Sequence, residues 1–416
     1  MKSKRILCVT SNFPRWRGDS TTPFVLHLAQ DLQELGWQVD VLAPHAESGT
    51  ASHECIDGVR VERFHYLWPR RAQTVCYHGG ALINLRENPV NFVKLPALVF
   101  FQWLAILCRI VSGRYDIIHS HWVLPQGFTG ALAGWLGRVP QVITVHGGDV
   151  FALKGGLLAR FKRFSLRRSA RITVNSSVTR SAVQALAPGL EQLHTIPMGV
   201  GVDAPAKTDD QVRVLRQRYA RNEGPLLVFL GRVVEEKGVE DFICAVALLR
   251  QSLPSVRALV VGEGQHRGSC EALARDLGLD THLEFTGWVD ATQVGAYLAA
   301  ADVFIGPSRK AADGWVEAQG LTFLEAMVAR TPVVATRSGG IVDSVEHDVT
   351  GLLVDERAPE QIADAVQRIV SEPELGERLA SAAWKQVKLR FSRRASAEAF
   401  SALLSGLLGE HKENGP

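Results

Sequence analysis

Short runs of β-branched and apolar residues alternate with helix-length amphipathic segments along almost the whole chain. That alternation restricts the fold more than any other feature. Arg5–Thr10 reads as a strand, Pro23–Leu35 as an amphipathic helix and Trp37–Leu42 as the next strand. Further strands are expected at Asp116–Ser120, Val142–Val145, Arg171–Val174 and Leu193–Ile196. Strand–helix–strand order implies parallel sheets with helices on both faces. At Pro197–Asp203 (PMGVGVD) the pattern breaks into Pro and Gly, and a polar run continues to about Glu223. The alternation then restarts, with strands at Leu226–Gly231, Arg257–Val261, His282–Phe285, Val303–Ile305 and Pro332–Ala335, and helices at Val239–Leu249 and Gly268–Leu277.

The expected fold class is therefore α/β, with two tandem Rossmann-like domains and a helical tail. A chain of 416 residues is long for one core, which agrees with two domains. The boundaries are placed at 1–200, 201–385 and 386–416. In open parallel sheets a ligand sits beyond the carboxyl ends of the strands, so the expected site is the crevice between the two sheets.

Composition excludes several classes. Apolar residues make up 46% and charged residues 21%, as in soluble globular proteins. The net charge of +3 is too small to argue for nucleic acid. Its distribution is uneven: residues 1–200 carry 22 Lys and Arg against 12 Asp and Glu, and the remainder carries 24 against 31. A basic first half suits an anionic partner, either a phosphate-bearing acceptor or a membrane surface; solvated surface is the alternative. The six cysteines form no CxxC and read as reduced thiols of a cytoplasmic protein. The opening apolar run is a strand, too short for a signal peptide. The most apolar stretch, Leu95–Val111 (LPALVFFQWLAILCRIV), reads as a buried helix, with a helix lying on a membrane surface as the alternative.

Five loops carry candidate chemistry. Glu317 and Glu325 are separated by seven residues, and Gly320-Leu321-Thr322 between them opens a helix. A helix start presents unpaired N–H groups and positive partial charge, which suits a diphosphate. Glu325, placed in the first turn, can accept hydrogen bonds from a ribose diol, and Glu317 can reach a sugar hydroxyl. The turn Gly231–Gly238 (GRVVEEKG) brings two cations, Arg232 and Lys237, to a strand end, where they can neutralise a departing diphosphate. Gly262-Glu263-Gly264 with Gly268 is GxGxxxG, which does not match the nicotinamide fingerprint, and reads as a glycine turn passing close to a nucleotide. His146-Gly147-Gly148-Asp149 places His146 and Asp149 on a turn at a strand's carboxyl end. The loop Pro14–Ser20 follows the first strand, with Gly18 as its phosphate-approaching residue. His119 and His121 read as structural or as lining the acceptor side. As an HxH pair they also allow a zinc hydrolase if His146 and Asp149 complete the ligand set. Arg160–Arg171 (RFKRFSLRRSAR) reads as one solvated helix face.

Together these motifs resemble the retaining glycosyltransferases of the GT-B fold, family 4. The GR…KG turn, GEG at Gly262–Gly264, FTGWV at Phe285–Val289, the E-x7-E segment, Gly339-Gly340 and TGLLV at Thr350–Val354 follow in that family's order. HSHWVLPQG at His119–Gly127 and TVHGGD at Thr144–Asp149 match in the first half. The resemblance implies a transferase that moves a sugar from a nucleotide-diphosphate donor, UDP- or GDP-linked, to a saccharide, lipid-linked or small-molecule acceptor. It implies that Arg232 and Lys237 hold the diphosphate with the amides of Leu321 and Thr322. Glu325 would bind ribose, Glu317 the sugar hydroxyls and His146 the transferred sugar. Gly18, Asp149, Gly262, Gly264, Val289 and Gly320 would line the donor. It also implies tail helices crossing back to the first domain, retention by front-face attack, and no cofactor. No DxD motif is present, which is consistent with no required metal. A peripheral contact with the inner face of the membrane would suit a lipid-linked acceptor. Departures are Ala318 where the family has Gly, Asp19 where a second Gly is common, and Ile-Val-Asp after Gly340. An epimerase on the same fold is the main rival.

Overall fold

The computed structural model describes residues 4–19, 21–46, 50–77, 80–152, 155–204, 209–220 and 224–413. Ser20 of the first loop, 205–208 and 221–223 of the polar run, and 414–416 of the tail lie outside the described residues. Packing divides the chain into two units, Met1–Gly199 with Ser396–Pro416, and Val200–Ala395.

The first unit runs β1 (Arg5–Val9), α1 (Pro23–Glu34), β2 (Gln38–Pro44), β3 (His53–Ile56), β4 (Val59–Phe64), α2 (Ala81–Glu87), α3 (Asn91–Val111), β5 (Ile117–His121), α4 (Phe128–Gly137), β6 (Gln141–Val145), α5 (Gly148–Phe151), α6 (Gly156–Arg168), β7 (Arg171–Val174), α7 (Ser177–Leu186) and β8 (Leu193–Thr195). Its sheet order is β3-β4-β2-β1-β5-β6-β7-β8. The central β1 carries Ile6, Leu7, Cys8 and Val9, all buried, because helices cover both faces of the sheet. α1 starts at Pro23, whose fixed φ suits a first helical position, and buries Val25, Leu28, Ala29 and Leu32 on one face. Among the described residues, only the β3–β4 pair is antiparallel in this sheet. Asp57 and Gly58 join these two strands with φ of 46° and 87°. That is the two-residue left-handed turn that matches hairpin twist. No strand is expected from the sequence between Leu42 and Asp116, and the structure adds this hairpin there.

α3 corrects the expectation of a buried helix at Leu95–Val111. One face buries Leu98, Gln102, Ile106 and Ile110, at intervals of four. The opposite face presents Val93, Phe100, Phe101, Leu104 and Val111 to solvent. The helix is apolar on both sides, so periodicity carried no information about which side is covered.

The second unit runs α8 (Asp210–Tyr219), β9 (Leu226–Leu230), α9 (Val239–Ser252), β10 (Arg257–Val261), α10 (Arg267–Asp276), β11 (Leu283–Gly287), α11 (Ala291–Ala300), β12 (Val303–Gly306), α12 (Leu321–Val328), β13 (Val333–Thr336), β14 (Leu352–Val354), α13 (Pro359–Ser371) and α14 (Pro373–Gln386). Its parallel sheet has the order β11-β10-β9-β12-β13-β14. Alternate residues feed opposite cores. Leu226, Val228, Leu259 and Val261 face one apolar layer, and Leu227, Phe229, Ala258 and Val260 the other. The last helix, α15 (Arg393–Glu413), belongs from Ser396 onwards with the first unit. There Ser401 Oγ accepts from Trp37 Nε1 at 2.9 Å. Phe400 lies 5.6 Å from the His119 ring.

Candidate functional site

In the second unit, the residues singled out in the sequence gather at the carboxyl ends of β9, β10 and β12. The turn after β9 carries Arg232 and Lys237, and the loop after β12 carries Glu317. Lys237 Nζ donates to Glu317 Oε2 at 2.5 Å, across 80 residues of chain. The two side chains keep only 16% and 10% of their exposure. Burial pushes the Glu317 carboxyl up, but Lys237's charge and hydrogen bond, then Arg232, hold it below the usual carboxylate range. Arg232 itself is half exposed and reaches Glu236 at 3.3 Å. A lysine ammonium has three donors. One is spent on Glu317, which leaves Lys237 oriented and charged with donors to spare.

α12 begins beyond this pair. Gly320 takes φ 75° as the residue before it. The Leu321 and Thr322 amides occupy the first helical positions, where no intrahelical acceptor exists. Leu321 is partly buried against the core. Glu325 is the fifth residue of α12, so it stands one turn inside the helix, not in its first turn as expected. Burial pushes its carboxyl up to about 7. The side chain keeps partial exposure.

The glycines of the GEG turn have a structural cause. A Cβ on Gly262 would lie 1.9 Å from Gly231 O, and one on Gly264 2.2 Å from Val233 O. The two turns are packed backbone to backbone, and only glycine permits it. Val289 is partly buried against the core beyond β11. Arg309 is a residue the sequence reading missed. It binds Glu235 O at 3.0 Å, Asp241 Oδ2 at 3.2 Å and Glu240 Oε2 at 3.0 Å, and so braces the turn that holds Lys237. Its contacts lie about 70 residues back along the chain, which no local pattern reveals.

In the first unit, the strand ends of β5 and β6 bring three histidines together. His121 Nδ1 and His146 Nε2 are 3.0 Å apart, with stacked rings. His119 Nε2 meets Thr144 Oγ1 at 2.7 Å. Burial pushes His119 down to about 4. Burial, with His119 nearby, pushes His146 down to about 3. Burial and both neighbours push His121 well below its ordinary value. All three rings are therefore neutral at working pH, and in the His121–His146 bond one ring donates and the other accepts. Asp149, in the first turn of α5, is buried. Its oxygens accept from Val123 N at 2.8 Å and Gly147 N at 3.0 Å. This fixes the His146 turn, and the carboxylate is engaged by backbone rather than turned outward. The HxH pair gains no ligand set: among the described residues no three His, Cys, Asp or Glu side chains converge as a metal site.

The loop after β1 places Gly18 at φ 83° with open space where a Cβ would stand. Asp19 closes this loop, accepting from Arg15 N at 2.9 Å, Arg15 Nε at 2.8 Å and Thr21 Oγ1 at 3.0 Å. That accounts for an Asp beside Gly18. The buried Arg63 anchors the loop's start by donating to Pro14 O at 2.7 Å.

The family described as "Glycosyl transferases group 1" matches residues 212–386, and "Glycosyl transferase 4-like domain" matches 21–199. A GDP-mannose-dependent alpha-(1-6)-phosphatidylinositol monomannoside mannosyltransferase of Mycobacterium tuberculosis is 35% identical over 88% of this chain and 89% of its own length. A D-inositol 3-phosphate glycosyltransferase of Pseudarthrobacter chlorophenolicus is 32% identical, covering 72% of this chain and 73% of its own. Among solved structures, Anabaena HepE in complex with UDP shares the fold at TM-score 0.74 and 19% identity, covering 97% of this chain and 100% of that one. Sucrose-phosphate synthase from Thermosynechococcus elongatus does so at TM-score 0.75 and 21% identity, covering 98% and 100%.

Proposed function

The chain belongs to the group 1 glycosyl transferases of GT-B fold, and we propose that it is a retaining hexosyltransferase that takes a GDP-linked hexose of the mannose type to an inositol-based glycolipid. What supports the donor and acceptor is the 35% identity, over 88% of the chain, to an enzyme described as using GDP-mannose on a phosphatidylinositol mannoside. The relative that acts on D-inositol 3-phosphate supports an inositol-type acceptor.

In the proposed reaction the bond from the anomeric carbon to the donor diphosphate breaks. An acceptor hydroxyl oxygen bonds to the same face of that carbon, and its proton passes to the departing diphosphate. The protein contributes positioning and electrostatic stabilisation. Lys237, held by Glu317, and Arg232 meet the charge that grows on the diphosphate. The Leu321 and Thr322 amides add donors at the α12 start. Glu325 accepts from the ribose diol, and His146 donates or accepts at the transferred sugar. Asp149 has both oxygens engaged by backbone, which argues against a carboxylate nucleophile there. No step calls for a metal.

The test is a thermal-shift series with GDP-mannose, UDP-glucose and ADP-glucose in EDTA, followed by transfer assays on a phosphatidylinositol mannoside. GDP-mannose at a hundredfold excess over Kd is expected to stabilise the protein by about 2.7 kcal/mol. A shift with UDP-glucose alone would replace the donor. Sugar released or isomerised from donor without any acceptor would favour the epimerase.

His121 is expected to act by positioning His146. His121→Phe keeps the ring's bulk and removes its nitrogen. Turnover should fall about tenfold with donor affinity unchanged and a small loss of melting temperature from the unpaired His146 nitrogen, and His121→Asn should recover much of the turnover by restoring a polar atom near the Nδ1 position. Equal turnover in wild type and His121→Phe would reduce the pair to a packing contact.

A further inference from the structure

We infer that the outer face formed by α3, α4 and α6 is a docking surface for an anionic lipid membrane, which the chain meets in plane and does not cross. This goes beyond the reaction proposed above and depends on none of its residues.

The three helices lie side by side and run in the same direction. Thr129 Oγ1 of α4 reaches Gln102 Oε1 of α3 at 3.2 Å. Eight residues further along both helices, a Cβ on Gly137 would touch Ile110 Cδ1 at 2.6 Å. On the other flank, Phe128 packs against Phe161 of α6, ring centroids 5.0 Å apart and planes tilted by 58°, and Arg168 covers the Trp135 ring at 5.5 Å. The helix ends are therefore in register, and their outward faces make one continuous surface.

That surface is unusual in what it exposes. Phe100 and Phe101 are 52% and 41% exposed, Val111 68%, Trp135 62% and Leu136 53%. Soluble monomers rarely leave aromatic side chains clustered in this way without a partner. The flanks are cationic. Between Asn88 and Leu190 the sequence holds twelve Lys and Arg and only two acids, Asp116 and Asp149; of these cations Arg109 is paired with Glu62, Arg171 with Glu410, and Lys162 is buried. Neither acid offsets the surface: Asp149 is buried, and Asp116 accepts from the Arg5 amide at 2.8 Å. Arg160, Arg167 and Arg168 stand exposed on α6. Apolar anchors bordered by the exposed guanidinium groups of α6 complement a negatively charged bilayer. The anchors enter the acyl boundary while the guanidinium groups meet the headgroups.

α3 is long and apolar enough to cross a membrane by length and composition. Its inner face argues against spanning. Leu98, Ile106 and Ile110 belong to the core beneath the sheet, and Gln102 is fully buried there. Leaving that core would expose it, so the helix lies on the bilayer with its outer stripe.

The experiment is co-sedimentation of the purified full chain with vesicles of phosphatidylcholine, alone or mixed with phosphatidylglycerol, with no nucleotide sugar or acceptor present. Binding is expected to the mixed vesicles, weakened by salt, and little to phosphatidylcholine alone. The triple variant Phe100→Ser/Phe101→Ser/Leu104→Ser should lower partitioning about tenfold or more. Arg160→Glu/Arg167→Glu/Arg168→Glu should do the same on anionic vesicles only. Both should keep the wild-type circular dichroism and melting temperature, since the altered residues are exposed. Wild-type protein that ignores anionic vesicles, or variants that bind like wild type, would overturn the inference. A dimer in solution that the Phe100/Phe101/Leu104 variant splits, without vesicle binding by wild type, would also overturn it and assign the face to a second copy. Because the assay contains no donor, failure here leaves the donor assignment standing, and failure of the donor leaves this result standing.

Discussion

Lys237→Ala is expected to depress kcat about a thousandfold and to destabilise the protein by about 3 kcal/mol. The two effects have separate origins. The catalytic loss follows from removing a cation where the departing diphosphate gains charge. The stability loss follows from leaving Glu317 as an ionised carboxylate with only 10% of its side chain exposed. In the wild type, Lys237 and Arg232 outweigh burial and hold the Glu317 carboxyl below its ordinary value of 4.5. A depressed acid contributes stability that is present above the unfolded value and is lost as pH falls through the folded one. The wild type should therefore keep this contribution at pH 7 and lose it below about pH 4.5. Lys237→Ala should lack it already at pH 7. The double variant Lys237→Ala/Glu317→Gln separates the effects. Stability by urea denaturation should return towards wild type, since no buried charge remains, and kcat should not. Wild-type kcat in the single variant would make the turn structural. Recovery of kcat in the double variant would show that the single loss came from damage to the fold.

Glu325→Ala is expected to weaken donor binding at least about a hundredfold, because a carboxylate accepting from two ribose hydroxyls makes two charge-assisted bonds of roughly 1.5–3 kcal/mol each. The carboxyl sits at about 7 in the free protein, so roughly half is protonated at neutral pH. A protonated acid cannot accept both hydroxyls equally, so donor binding should release a proton. Affinity measured by calorimetry should fall as pH drops from 8 to 6, and this dependence should vanish in the alanine variant. The stability consequence has the opposite sense from that of Glu317. An acid whose folded value is raised keeps its full stability below the unfolded value and loses it as pH rises through the folded one. Between about pH 4.5 and 7 the chain should lose up to about 3 kcal/mol, less in proportion to the solvent the side chain still meets. Glu325→Gln should thus melt higher than wild type at pH 8 and match it at pH 4. Donor affinity that ignores both substitution and pH would remove Glu325 from the nucleotide site.

Much of this molecule is legible along the chain, because the signals are local. β-Branched runs at Leu226–Leu230 and Arg257–Val261 make buried strands wherever helices cover both faces of a sheet. The break after Ile196 and the restart at Leu226 separate two such sheets. The Asp57-Gly58 dipeptide is itself a hairpin signal, but the strands it joins are short and polar on one side. The glycines of GRVVEEKG and GEG are visible as turns, but their reason is not. It is the approach of Gly262 to the backbone of Gly231, which exists only once β9 and β10 are neighbours.

What the tertiary structure alone decided is pairing and exposure. Lys237 and Glu317 were each legible as candidates in separate roles, and the sheet order that puts β9 beside β12 makes them one ion pair. His121 stood in an HxH motif open to several readings, and the neighbouring of β5 and β6 turned it onto His146. α3 carries apolar residues on both sides, so its pattern is the same whether one face or both are covered. Only packing against the sheet shows that one face is left outside. The reason is common to all three: a residue's type and local period depend on its neighbours in sequence, while its charge state, partner and exposure depend on groups the crossovers bring from elsewhere in the chain.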